Sequence, residues 1–148
     1  MRPETDELRV ASFADLDTTT LYRLLELRCA VFVVEQESPY LDVDGRDLEP
    51  ATRHVWVARA GLPVGYLRVL AEPDGVMRVG RVVVGKEARG AGVAGRLMDT
   101  ALEIVGARPS VLDAQSHLAG FYGRYGYAIS GAGFVEDGIP HVPMARAA

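Results

Sequence analysis

The stretch "VVVGKEARGAGVAGRLM", Val82 to Met98, constrains the chain more than any other. A valine strand runs into a glycine-rich loop and then into a helix. Ala94, Leu97, Met98, Ala101 and Val105 recur at helical spacing, with Arg96, Asp99 and Glu103 opposite them. Such a helix has one apolar face and must lay it on a sheet. Gly90, Gly92 and Gly95 let the backbone approach a ligand closely. The free N–H groups of the first helical turn point at that ligand, and the helix dipole favours negative charge there. Arg89 adds a full positive charge. The loop suits a phosphate or a pyrophosphate.

The rest of the chain supplies the sheet. "LRVASFA" (Leu8–Ala14) alternates like a strand, and Asp17 or Thr18 can cap a helix running to about Val34. Leu21, Leu24, Leu25, Arg28, Phe32 and Glu35 recur along it at spacings of three and four, so Arg28 and Glu35 are expected on one face. Gln36 to Pro50 reads as loop. "RHVWVARA", "VGYLRVLAE" and "VMRVGRVVV" are three strands joined by short turns, an antiparallel meander. After the glycine-loop helix come a strand "SVLDA", a helix "HLAGFYGRYG" and a closing pair, "YAISGAGF" and "HVPMAR". The predicted order is β-α-βββ-α-β-α-ββ, an α/β mixed sheet in one domain of 148 residues.

Composition narrows the class. A hydrophobic content of 49% and a charged content of 24% are those of a globular protein. A net charge of −4 argues against nucleic acid as the partner, because phosphate backbones demand a basic face. "MRPETDELRV" is polar, and apolar runs such as Ala30 to Val34 are too short for a membrane span, so a cytoplasmic protein is expected. The one cysteine, Cys29, lies in "LLELRCAVFVV" with no nearby histidine and reads as core packing.

Gly90, Gly92 and Gly95 also spell the dinucleotide fingerprint G-x-G-x-x-G, with Asp113 about where a ribose-binding acid would stand. The context is wrong for it. Gly85 to Arg89 separate the strand from the first glycine, whereas that fold turns almost at once, and a meander precedes the single βαβ unit. Asp113 is then an ordinary residue of a strand end.

"RGAGVA" (Arg89–Ala94) resembles the R/Q-x-x-G-x-G/A loop of the GNAT superfamily of N-acetyltransferases. "AQSHLAGFYGRYGY" (Ala114–Tyr127) is similar to that family's second motif, and the element order matches. "LRCAVFVVEQESPYLDVDGRD" and "EDGIPHVPMAR" resemble the ElaA-like group. The family usually places a second helix where this chain reads as loop. The resemblance implies a GNAT-like acyl-CoA N-acyltransferase fold whose cosubstrate is acetyl-CoA. It implies that Arg89, Gly90, Ala91, Gly92, Val93, Ala94 and Gly95 hold the pyrophosphate, while Val82, Val83 and Val84 offer backbone hydrogen bonds to the pantetheine arm. Gly80 suits a bulge in that strand.

An amine attacking a thioester needs a base for its ammonium proton and an acid for the departing thiolate. The resemblance implies Tyr122 as the acid; the other reading is a core aromatic. For the base the candidates are Glu35, then His141, then a water relay. His54 reads as a strand-start structural residue and His117 as a helix start. No metal is expected, since the histidines lack ligand spacing and "DVDGRDLE" departs from the calcium-loop pattern at Arg46, Asp47 and Arg53. From Glu35 to Glu49 there are six acids against one base, Arg46, which predicts a local negative lip for a cationic amine.

The expected activity is acetyl transfer to an amine of a small molecule or peptide, with a homodimer left open. Two alternatives stand beside it. One is a CoA-binding module without turnover. The other is an enzyme like the acyl-homoserine lactone synthases, which share the Arg-x-x-x-Phe helix (Arg28, Phe32) and an acidic loop.

Overall fold

The computed structural model describes residues 6–148. Strand β1 (Glu7–Ala11) leads to helix α1 (Thr18–Arg28), whose free Thr20 amide is capped by Asp17 Oδ1 at 2.7 Å. The helix does not end at Arg28. It widens into a π-helical segment, Cys29–Glu35, in which the amide of Gln36 reaches back five residues to the carbonyl of Val31. A loop with one short turn, Arg46–Leu48, occupies the place of a second helix. Then follow β2 (Arg53–Arg59), β3 (Leu62–Ala71), β4 (Met77–Val84), α2 (Val93–Val105), β5 (Ser110–Gln115) and α3 (Ala119–Gly123). The expected closing pair is three strands, β6 (Ala128–Ile129), β7 (Phe134–Glu136) and β8 (Ile139–Arg146).

The strands form one sheet in the order β1-β2-β3-β4-β5-β8-β6, with β7 also on β8. Among the described residues only β4 and β5 run parallel, and they pair at just two positions, Met77 with Ser110 and Arg78 with Val111. Beyond these the two strands part. This single parallel contact is unlike the repeated parallel pairs of a dinucleotide fold.

Alternation along the meander sorts side chains to two faces. Val55, Val57, Leu67 and Val69 join Leu97, Met98 and Ala101 of α2, while Trp56 and Tyr66 join Leu24 and Val31 under α1. The α2 side packs closely: a Cβ on Gly65 would come within 2.5 Å of Val93 Cγ1. Strand β4 changes faces midway. Tyr66 faces Val83 and Arg68 faces Gly80, so β4 advances three residues where β3 advances two. The extra residue is Arg81, at φ 52°, rather than Gly80. This bulge turns Val83 toward α1 although Met77 and Val79 face α2.

Charged groups hold the loop down. Arg28, 1% exposed, donates to Asp42 Oδ2 at 2.9 Å and to Asp47 Oδ1 at 2.9 Å. Arg68 bonds Asp44 and Asp47, and Arg81 pairs with Asp42 and Asp44. The acidic loop is therefore no negative lip: three arginines from α1, β3 and β4 neutralise its central carboxylates. Burial pushes Asp47 up, but Arg28 and Arg68 outweigh it and hold the carboxyl below its ordinary range. Cys29, expected in the core, is exposed.

His54 is buried beside this network. Its Nε2 donates to the Asp47 carbonyl (3.1 Å), so its Nδ1 accepts from the Tyr66 hydroxyl (2.6 Å) and the ring is neutral. Burial pushes its pKa below the ordinary value. The folded state then binds fewer protons than the unfolded chain, so stability is full above about pH 6.5 and falls below it, by at most about 1.4 kcal/mol per pH unit. Urea midpoints at about pH 7.5 and about pH 5.5 should show this fall, and His54→Gln should flatten it.

Candidate active site

Where β4 and β5 part, a cavity of about 350 Å³ opens. Gly80, Arg81 and Val82 of β4 form one wall and Leu112, Asp113 and Gln115 of β5 the other. Tyr122 of α3 and His141 of β8 both line it. The loop after the π-helical segment closes one side, because the Ser38 hydroxyl donates to the Asp137 carbonyl at 3.1 Å in the β7–β8 turn. Sequence reasoning missed that closure. Ser38 and Asp137 are 99 residues apart, and nothing in the two stretches that hold them signals that they meet.

Tyr122 is 6% exposed, and burial pushes its phenol up to about 12. It stays a protonated donor at neutral pH. Its ring meets Phe121 edge-on at 5.1 Å, which fixes its orientation. His141 donates from Nδ1 to the Ile139 carbonyl at 2.7 Å, which leaves Nε2 with a free lone pair in the neutral ring. Phe134 stacks on that ring at 5.6 Å. Asp113, with a long 3.5 Å bond to Arg78, also faces the cavity, as do Glu136 and Asp137.

Glu35 is placed elsewhere. A π-helix turns each residue by less than the ~100° of an α-helix, so seven residues no longer return to the face of Arg28. Glu35 does not line the cavity, and Arg28 bonds Asp42 and Asp47 instead of it. It forms a two-pronged ion pair with Arg89 of the glycine loop, at 2.7 and 2.9 Å, and that guanidinium holds its carboxyl below the ordinary range.

Gly90 and Gly92 are left-handed, at φ 82° and 79°, and a Cβ on either would meet no heavy atom within 4 Å. The first amide bond of α2 runs from Arg96 to Gly92, so the amides of Val93, Ala94 and Gly95 have no partner within the helix. Gly95 has a second role, since a side chain there would meet the Tyr125 hydroxyl at 2.9 Å. Of the three valines, Val82 lines the cavity, Val83 is buried under α1, and Val84 gives its carbonyl to Arg89 Nε at 2.9 Å.

No helix among the described residues is long and apolar enough to cross a membrane. The family described as "Acetyltransferase (GNAT) domain" matches residues 26–148. Protein ElaA of Escherichia coli is 42% identical over 139 residues, covering 90% of this chain and 91% of ElaA. The crystal structure of E. coli ElaA superposes with a TM-score of 0.91 at 39% identity, over 96% of this chain and 99% of that one. An acyl-CoA N-acyltransferase from Pseudomonas aeruginosa gives 0.91 at 42% identity, over 97% and 100%. A CoA-dependent acyl-homoserine lactone synthase, BjaI, solved with SAM and isopentyl-CoA, gives 0.79 at 15% identity, over 95% and 82%, a likeness of fold alone. With likeness of that extent along nearly the whole of both chains, this chain belongs to the GNAT acetyltransferase family, alongside ElaA.

Proposed function

We propose that the protein transfers the acetyl group of acetyl-CoA directly to an amine of a small molecule or peptide, in the cytoplasm. The observation that carries this reading is the parting of β4 from β5, with a buried phenol and an imidazole lining the cavity between them. The residues present fit the cosubstrate. Past Arg78 no strand of the described residues covers the β5 side of β4, so an extended pantetheine arm can add along its edge. The left-handed glycines leave room for a pyrophosphate against the free amides of α2.

Acetyl-CoA supplies a thioester whose carbonyl carbon an amine can attack. His141 Nε2 accepts the ammonium proton, in place of Glu35, which does not line the cavity. Tyr122 donates its phenolic hydrogen toward the departing sulfur. Arg68, Arg78 and Arg81 of the cavity wall are paired with carboxylates, and Glu136 and Asp137 on the β7–β8 side are left to attract a protonated amine, a role expected of the 35–49 loop. A CoA-binding module without turnover has no use for Tyr122 and His141 in one cavity.

Gly92→Asp tests the cosubstrate site. The new Cβ meets nothing within 4 Å, and aspartate is among the residues that accept the left-handed region, so the fold is retained. Its carboxylate competes for the amides that would hold the pyrophosphate. Calorimetric titration should show a loss of about 2–4 kcal/mol in CoA binding. Undiminished affinity removes the loop from the site. A panel of amines, screened for acetyl-CoA-dependent thiol release, tests the transfer itself.

A further inference from the structure

Two residues that bear on chemistry are spent on each other. Arg89 opens the glycine loop, and Glu35 ends the π-helical segment. Both oxygens of Glu35 are engaged by Arg89 Nη1 and Nη2, and Arg89 Nε donates to the carbonyl of Val84. All three guanidinium nitrogens are thus occupied. The buried pairs of Arg28 and Arg68 hold a loop to the sheet. The Glu35–Arg89 pair differs in being about 40% exposed on both partners, where an ion pair adds little to folding.

The pair has a direct electrostatic consequence for a phosphate ligand. A carboxylate at hydrogen-bond distance cancels most of the field of its arginine at longer range, and it repels an approaching anion. Arg89 also occupies the last carbonyl of the β4 edge, next to the parted region. We propose that Glu35 is a latch on Arg89. In the resting protein it holds the guanidinium across the end of β4. The arriving diphosphate of CoA takes Arg89 from it, which frees the Val84 carbonyl and leaves the Glu35 carboxylate without its partner. Glu35 is a positioning residue that lowers the affinity for CoA, not the base of the reaction. Phe32 and Gln36 of the adjoining segment line the cavity, so release of Glu35 acts on the wall of the acceptor site. The proposal rests on the CoA reading above.

Calorimetric titration of the full chain with CoA tests it, at low and at high salt, for the unchanged protein, Glu35→Gln, Arg89→Gln and the double variant. Glutamine keeps the shape of Glu35 and removes its charge. Glu35→Gln should bind CoA about two- to fivefold more tightly, the scale of one exposed ion pair, and the gain should shrink as salt rises. In the Arg89→Gln background the same change should bring much less gain, since the two residues act as a unit. Pantetheine, which has no phosphate, should bind the unchanged protein and Glu35→Gln equally. Equal or weaker CoA binding by Glu35→Gln overturns the latch, as does an undiminished gain without Arg89. If neither the unchanged protein nor any variant binds CoA, the CoA reading itself falls, and that outcome differs from the others.

Discussion

Replacing Arg28 with methionine is expected to destabilise the protein by about 3–5 kcal/mol, the usual cost of removing one member of a buried ionic group. The side chain is 1% exposed and makes three hydrogen bonds, to Asp42 Oδ2, to Asp47 Oδ1 and to the Asp42 carbonyl. Its guanidinium also lies over the Tyr66 ring, 5.4 Å from the centroid. Methionine fills much of the volume but leaves two buried carboxylates short of a positive partner. Arg68 and Arg81 remain nearby, so the loss should stop short of a fully unpaired charge. Urea unfolding at neutral pH measures it. Should Arg28→Met not fold, Arg28→Lys gives a smaller loss in the same direction, because an ammonium cannot span both carboxylates in a fork. Asp42→Asn added to Arg28→Met should recover part of the loss. A loss below about 1 kcal/mol would show that the network behaves as a solvated surface group and does not hold the loop.

This network marks the boundary of what could be read from the chain alone. The meander, the glycine loop and α2 were legible because each is a local pattern. Val55 and Val57 alternate with Trp56, and Leu97, Met98 and Ala101 recur at helical spacing, so the buried face is written in consecutive residues. Tyr122, singled out through its motif, lines the cavity. The partners of Arg28 were not, because Asp42 and Asp47 lie 14 and 19 residues away across a loop with no period. The loop's charge was readable and its fate was not, since the neutralising Arg68 and Arg81 arrive from a meander that pairs elsewhere. The π-helical segment misled by the same logic. Its apolar residues keep spacings of three and four, yet bonds reaching back five residues swing Glu35 from Arg28 to Arg89. A bulge was expected at Gly80 on conformational grounds, and the structure gives the positive φ to Arg81, whose guanidinium reaches Asp42 and Asp44.

Tyr122→Phe should lower kcat by about 10²–10⁴-fold at saturating acetyl-CoA, the range for removing a positioned proton donor. The substitution deletes one oxygen and little else. The edge-on contact with Phe121 at 5.1 Å belongs to the rings and survives, so thermal stability should be nearly unchanged. The phenol's pKa of about 12 bears on its role. An ordinary thiol titrates near 8.5, so complete transfer of the phenolic proton to a solvated thiolate would be uphill. The same burial that raises the phenol also raises the basicity of a thiolate formed beside it, which narrows that gap. A buried donor hydrogen-bonded to the developing negative charge is worth most where water cannot compete. The loss should therefore fall on kcat, with the affinity for CoA little changed, because the hydroxyl meets the sulfur only as its charge develops. Acetyl esters or thioesters with more acidic leaving groups need less help, and with them the penalty should shrink. An unchanged kcat in an assay limited by the chemical step would make Tyr122 a core aromatic that happens to line the cavity.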